Sequence, residues 1–304
     1  MMRPVHTPYD GSSKPFSIGL KPIDKNAWIE IDDALPDYLA EKRRLYAERP
    51  DAVFVAEPDT VASQQEVVDW LADFLPTNRP DIYQRENGAI NIVGAHEPVL
   101  LDGQPDSPLI TASLLVQEDL VLMRSGTDGW RLAAASVCFP SSWTLTEKFG
   151  RPLEQIHGPV PGFGPGTRTA TVIRRIFDNL QPGQPVERHN WALVTDDHLY
   201  HPAAEVEKTG GTPPDLARFE SIARAFIRVE RQTLTRLPGS GDILFTIRIH
   251  VDPMTVLKRH PDRTALATGF ADLLAALEPK HLTYKRLVAD RDALVEQLRR
   301  LAEG

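Results

Sequence analysis

Cysteine is almost missing: Cys138 is the single one in a chain of 304 residues, so no intrachain disulfide can form. A lone thiol among nine histidines suits a reducing compartment. Long apolar runs are missing too. Nothing approaches the ~20 residues that a membrane-spanning helix needs, and the stretch 1–14 is polar and broken by Pro4, Pro8 and Gly11. Positive charge is in deficit, with a formal net charge of −8, which makes phosphate backbones and anionic membranes poor default partners. The expectation is a cytoplasmic protein with no nucleic-acid and no membrane partner. Familiar nucleotide and hydrolase signatures are absent as well. Gly162-Phe163-Gly164-Pro165-Gly166 lacks the strand–turn–helix setting of a dinucleotide loop, and there is no zinc pattern or nucleophile elbow.

What is present is an ordinary globular composition, long enough to bury a core without staples. After an irregular arm, Trp28-Ile29-Glu30-Ile31 reads as a short strand. Asp37–Leu45 and Ser63–Phe74 read as helices, the latter from the spacing of Val67, Val68, Leu71 and Phe74. Pro108–Met123 is apolar and β-rich, Ser125–Gly129 is a turn, and Trp130–Phe139 is its partner strand. Thr144–His157 and Thr167–Leu180 follow as helix candidates, and Val186–Thr195 as a strand. Pro238-Gly239-Ser240-Gly241 joins strands Ile227–Leu237 and Asp242–Val251. Beyond Pro253 the pattern returns to helix, with Leu274 and Leu277 on one face. Leu287, Leu294, Leu298 and Leu301 mark a terminal helix from Tyr284 to Leu301.

This order, five antiparallel strands with helices inserted after the second, predicts an α+β fold whose sheet is PAS-like, flanked by N- and C-terminal helices. The boundaries fall at 1–104 for an N-terminal helical section, 105–252 for the core and 253–304 for a C-terminal helical extension.

The densest chemical signal runs from Cys138 to Phe163. Pro152 suits a first helical turn, while Gly158 and Pro159 suit a stop, so His157 sits at a helix C-terminus. The helix dipole there favours a protonated or metal-bound imidazole, and a simple capping histidine is the alternative. In the strands, Arg228, Glu230, Gln232 and Leu234 share one face, opposite Val229, Arg231, Thr233 and Thr235. Leu244, Thr246, Arg248 and His250 likewise share a face. Arginines placed in such strands ask for an anion, a carboxylate held bidentately, or else belong to a solvated face with structural Arg–Glu pairs. Glu230 is read either as a proton acceptor that also holds an amine or as a cross-strand partner of Arg228. His189 and His250 are possible distal histidines or plain strand residues, and the spacing of His198 and His201 defines no metal site.

The run Phe139–Phe163, together with Arg188, Asn190-Trp191, Arg228–Leu234, Phe245-Thr246-Ile247-Arg248 and Gly19-Leu20-Lys21-Pro22, resembles the haem-dependent oxidative N-demethylase family over roughly residues 16–255. The resemblance implies a PAS-like domain that binds haem b and works as an enzyme, a monooxygenase-type oxidoreductase. It would oxidise an N-methyl group of a small methylated amine with dioxygen, releasing formaldehyde as the carbinolamine falls apart. No flavin or nicotinamide fingerprint is present, so electrons would come from a separate flavin- or NAD(P)H-dependent reductase protein. By position in the motif, His157 is the axial ligand of the iron, with Arg188, Asn190, Trp191 and Arg231 as further cofactor-binding residues. Glu230, Arg231 and Arg248 are the catalytic candidates. Cys138 is the rival ligand, since a thiolate favours oxygen–oxygen cleavage, but it ends an apolar strand where an inert buried thiol is expected. The alternative function is a non-catalytic PAS-like haem sensor or ligand-binding module.

Overall fold

The computed structural model describes residues 4–14, 16–202, 217–219 and 221–304. In chain order its first elements are β1 (Lys21–Pro22), α1 (Leu35–Glu48), α2 (Pro50–Val53), β2 (Phe54–Ala56) and α3 (Val61–Asn78). A small sheet follows, β3 (Tyr83–Glu86), β4 (Ala89–Ile92) and β5 (Val99–Leu100), then α4 (Pro108–Ser113), β6 (Asp119–Gly126) and β7 (Gly129–Ser136). Next come α5 (Leu145–Lys148), α6 (Leu153–Ile156), α7 (Arg168–Asn179), β8 (Val186–Val194), β9 (Phe226–Arg236) and β10 (Ile243–Pro253). The last helices are α8 (Arg263–Ala275), α9 (Pro279–Lys285) and α10 (Arg291–Glu303).

The main sheet has seven antiparallel strands in the order β1-β8-β9-β10-β6-β7-β2. Its centre is the five strands expected from sequence. Two hairpins build it. In the first, Gly126 pairs with Gly129, whose φ of 94° only glycine adopts without strain. The second turns through Gly241, also at positive φ. A mixed α/β fold with a large antiparallel sheet and helices between its second and third central strands is thus what the chain forms.

Strand alternation gives the sheet two different coats. Leu120, Leu122 and Leu244 face a core made by α3, α4 and the Trp28 segment. Val121, Met123, Leu234 and Ile243 face the other way, against Phe163, Ile173 and Phe177 of the α5–α7 insertion. Where β8 and β9 run past β10, the first coat continues as a third cluster: Trp191, Ile227 and Val229 pack on Phe270, Leu274 and Leu298 of the C-terminal helices. Among the described residues, no helix is long and apolar enough to cross a membrane.

Four expectations differ in detail. Residues 108–113 are helical, because Pro108 follows Ser107 as a first-turn proline, and the strand begins only at Asp119. Trp28–Ile31 pairs with no strand; instead Trp28 is buried and stacks on Trp70 at 4.3 Å between ring centroids. Thr144–His157 splits into the single turns α5 and α6, since Gly150 at φ 71° and Pro152 interrupt it. Tyr284–Leu301 is likewise divided, with Arg286 in the left-handed conformation closing α9. The N-terminal section also carries β1, β2 and the three-stranded sheet, which its sequence did not announce.

Candidate functional site

Register sorts the site residues. On β8 and β9, Arg188 lies opposite Gln232 and Asn190 opposite Glu230, so these four share the face coated by the α5–α7 insertion. His157 caps α6 on that same face, its N–H donating to the Leu153 carbonyl at 3.0 Å. Lys148 ends α5 and lies over the Trp143 ring at 4.0 Å. From beyond the free edge of β8, Lys285 at the end of α9 donates to the Trp191 carbonyl at 2.5 Å and lies over the Trp191 ring at 4.1 Å.

The result is a polar cluster: Arg188, Asn190, Glu230 and Gln232 share one face of the sheet, within electrostatic reach of Lys148, His157, Tyr284 and Lys285. It holds an excess of desolvated positive charge. Burial pulls Lys148 and Lys285 each down to about 8, against the pull of Glu230. Arg188 is lowered by burial as well. Its bonds are long, 3.3 Å to Gln232 Oε1 and 3.5 Å to the Ser17 carbonyl, and its buried Nε has no hydrogen-bond partner among the described residues. Glu230 is the one carboxylate acting on all three cations, and it is oriented by Gln232 at 2.7 Å and Asn190 at 3.4 Å. Three cations around one acid leave room for an anion.

Of the two forms expected for His157, the protonated one is disfavoured. A single turn carries little dipole, and burial with the Lys148 and Arg188 charges pushes the imidazole down to about 4. It is a neutral donor at neutral pH rather than a cation. Phe163 stands edge-on to it at 6.2 Å, and the apolar pocket beside it is lined by Leu153, Phe163, Ala170 and Ile173.

Arg231 and Arg248 are elsewhere. They pair with each other in register and point to the opposite face of the sheet. Arg231 binds Glu187 at 2.9 Å and the Trp28 and Ala27 carbonyls, and Arg248 binds Asp32 at 2.6 Å and lies over the Tyr38 ring. Structural pairing with a carboxylate, open at the outset, describes them, with Glu187 for Arg231 and Asp32 for Arg248, but on a buried face rather than the solvated one expected. Arg228 does share the Glu230 face but is fully buried and spent on Ser141 Oγ and the carbonyls of Phe139, Pro140, His198 and Leu199. His189 and His250 also face away from His157, so neither is distal to it. Trp191 contributes its carbonyl and the ring beneath Lys285 from within the core. Cys138 is buried, and burial with the nearby Asp119 charge pushes its thiol up to about 12, so it stays protonated. His198 and His201 both reach Asp196, at 3.4 and 3.3 Å.

The family model for the haem-dependent oxidative N-demethylase, alpha subunit-like proteins matches residues 19–295. The chain belongs to that family. Lys148 and Lys285, which belong to the cluster in this N-demethylase relative, were not picked out from sequence. Lys148 sat inside the Cys138–Phe163 run, whereas nothing in Thr283-Tyr284-Lys285-Arg286 marks a residue that reaches round a strand edge. The cluster thus combines an imidazole held neutral by burial with three buried cations that share the Glu230 carboxylate.

Proposed function

We propose that this cluster would hold haem b, with His157 as the residue that would bind its iron, and that the chain catalyses oxidative N-demethylation of a small methylated amine. The supporting observation is the unpartnered Arg188 Nε, buried among Lys148, Lys285 and the neutral His157. The helical insertion between the second and third central strands supports the PAS-like part of the reading.

In this reading Arg188, Lys148 and Lys285 meet the two haem carboxylates, a task for which guanidinium and ammonium groups are suited. Haem, when bound, supplies the redox chemistry that activates dioxygen. Glu230, fixed by Asn190 and Gln232, attracts the substrate ammonium and takes a proton from it. The insertion that carries Phe163 keeps water from the imidazole side. Overall, amine N–CH3, dioxygen, two electrons and two protons give N–H, formaldehyde and water. The electrons come from a separate flavin- or NAD(P)H-dependent reductase protein.

The test is an absorption spectrum of protein made with ample haem, compared with His157→Ala, followed by a formaldehyde assay with methylated amines and a chemical reductant. A Soret band that shifts or vanishes in the variant, with formaldehyde from the parent, is expected. Normal haem content and an unchanged spectrum in the variant would end the His157 assignment. Haem binding without formaldehyde would favour the non-catalytic binding module.

A further inference from the structure

The opposite face of the sheet carries a second cluster that the first does not use. His6, in the N-terminal arm, places Nε2 at 3.0 and 3.1 Å from the two oxygens of Glu30. His250, buried on β10, places its own Nε2 at 3.2 Å from Glu30 Oε2. One atom from each of these three residues lies within 4.8 Å of the others. We propose that His6, Glu30 and His250 bind a divalent transition-metal ion of the zinc type, and that this ion fastens the N-terminal arm to the sheet.

The donor set is right for such an ion: two imidazoles and a carboxylate suit zinc and its neighbours, whereas calcium and magnesium ask for oxygen alone. The spacing is right too. Ligands with bonds of about 2.0–2.2 Å to a tetrahedral zinc stand roughly 3.3–3.6 Å apart, close to the 3.0 and 3.2 Å that part His6 and His250 from Glu30, with the third separation within 4.8 Å. Both Nε2 atoms converge on one carboxylate, so a metal would need only to replace the protons that now lie between them.

A separate observation points the same way. His189 on β8 lies against His6 with 4.5 Å between ring centroids, and its buried Nε2 has no hydrogen-bond partner among the described residues. It flanks the site rather than completing it: among the described residues, the ligand atoms within 4.8 Å of one another belong to His6, Glu30 and His250. A buried orphan nitrogen beside them is costly in the absence of something to bind.

Arg231 is the local argument against a cation, with its Nε 4.0 Å from Glu30 Oε2. Its charge is already taken by Glu187 at 2.9 Å, which leaves Glu30 free to serve a metal.

The test uses the full-length, tag-free protein without added haem, stripped with chelator and titrated with zinc, alongside His6→Ala and Glu30→Gln. His6 lies in the arm, so its replacement leaves the sheet and helices intact. One zinc per chain is expected, weakened at least about 100-fold in each variant, the upper end of what even indirect supports of a metal ligand are worth. Cobalt in place of zinc should give visible bands that disappear in both variants. Absence of saturable binding in the parent, or binding that survives in either variant, overturns the proposal. None of these readouts depends on His157 or on haem.

Discussion

Glu230 and Arg231 are neighbours in β9 yet face opposite sides of the sheet, Glu230 toward Asn190 and Gln232, Arg231 toward Glu187 and Glu30. One residue along a strand thus separates a group in the cluster from a group in the framework. Two substitutions should divide accordingly. Glu230→Gln is expected to keep haem content and lower formaldehyde turnover by at least about 100-fold, the low end for loss of an acid–base group. Arg231→Met should instead cost about 3–5 kcal/mol of stability by stranding Glu187, measurable in urea unfolding, with an unshifted Soret band.

Strand faces were legible because alternation is a fixed property of the backbone: Glu230 and Arg231 were separated before any coordinates. What the alternation meets was not legible. Arg231 and Arg248 read as anion binders, and only the fold brings Glu187, Glu30 and Asp32 beside them. The central strands were visible from composition and turns, whereas β1 and β2 are two and three residues long and exist only because β8 and β7 offer edges. Lys285 reaches Trp191 across 94 residues of chain and Glu30 meets His250 across 220, distances over which local pattern carries no information.

The cluster should respond to pH through its lysines. Lys148 and Lys285 titrate near 8 in the metal-free, haem-free protein, below the ordinary lysine value. As pH rises through that range both lose the charge that attracts haem carboxylates. Haem affinity is therefore expected to fall from pH 7 to pH 9, and a Lys148→Met, Lys285→Met double variant should show a weaker dependence. Stability of the haem-free protein runs the other way. A cation with a lowered folded pKa penalises folding below it, so stability should rise between about pH 8 and 10.5. Spectroscopic haem titration and urea midpoints measure the two slopes.

Lys42 is wholly buried, and its ammonium donates to the carbonyls of Ser113, Val116 and Glu118 and to Ser113 Oγ. It closes the end of α4 and stands near the Asp119 and Glu118 carboxyls. Lys42→Met keeps the volume but leaves those acceptors unsatisfied. A loss of about 3 kcal/mol or more is expected in urea unfolding, as for other buried ionic groups deprived of a partner.

Gly269 in α8 is pressed against the arm: a Cβ there would lie 2.1 Å from the Asp10 carbonyl oxygen. Gly269→Ala should therefore expel the arm even though alanine favours the helix by about 1 kcal/mol. Faster hydrogen exchange over residues 4–14 would report it, and zinc affinity should fall with it because His6 leaves.

That contact also sets an order of events during synthesis. Asp10 of the arm and its seat at Gly269 are separated by roughly 260 residues, so at translation rates of about 5–20 residues per second the arm waits about 13–50 s without a docking surface. During that interval Tyr9, which ends wholly buried against Phe270, is available to chaperones and proteases. The arm thus lands only after the ribosome has delivered most of the chain that lies between it and α8.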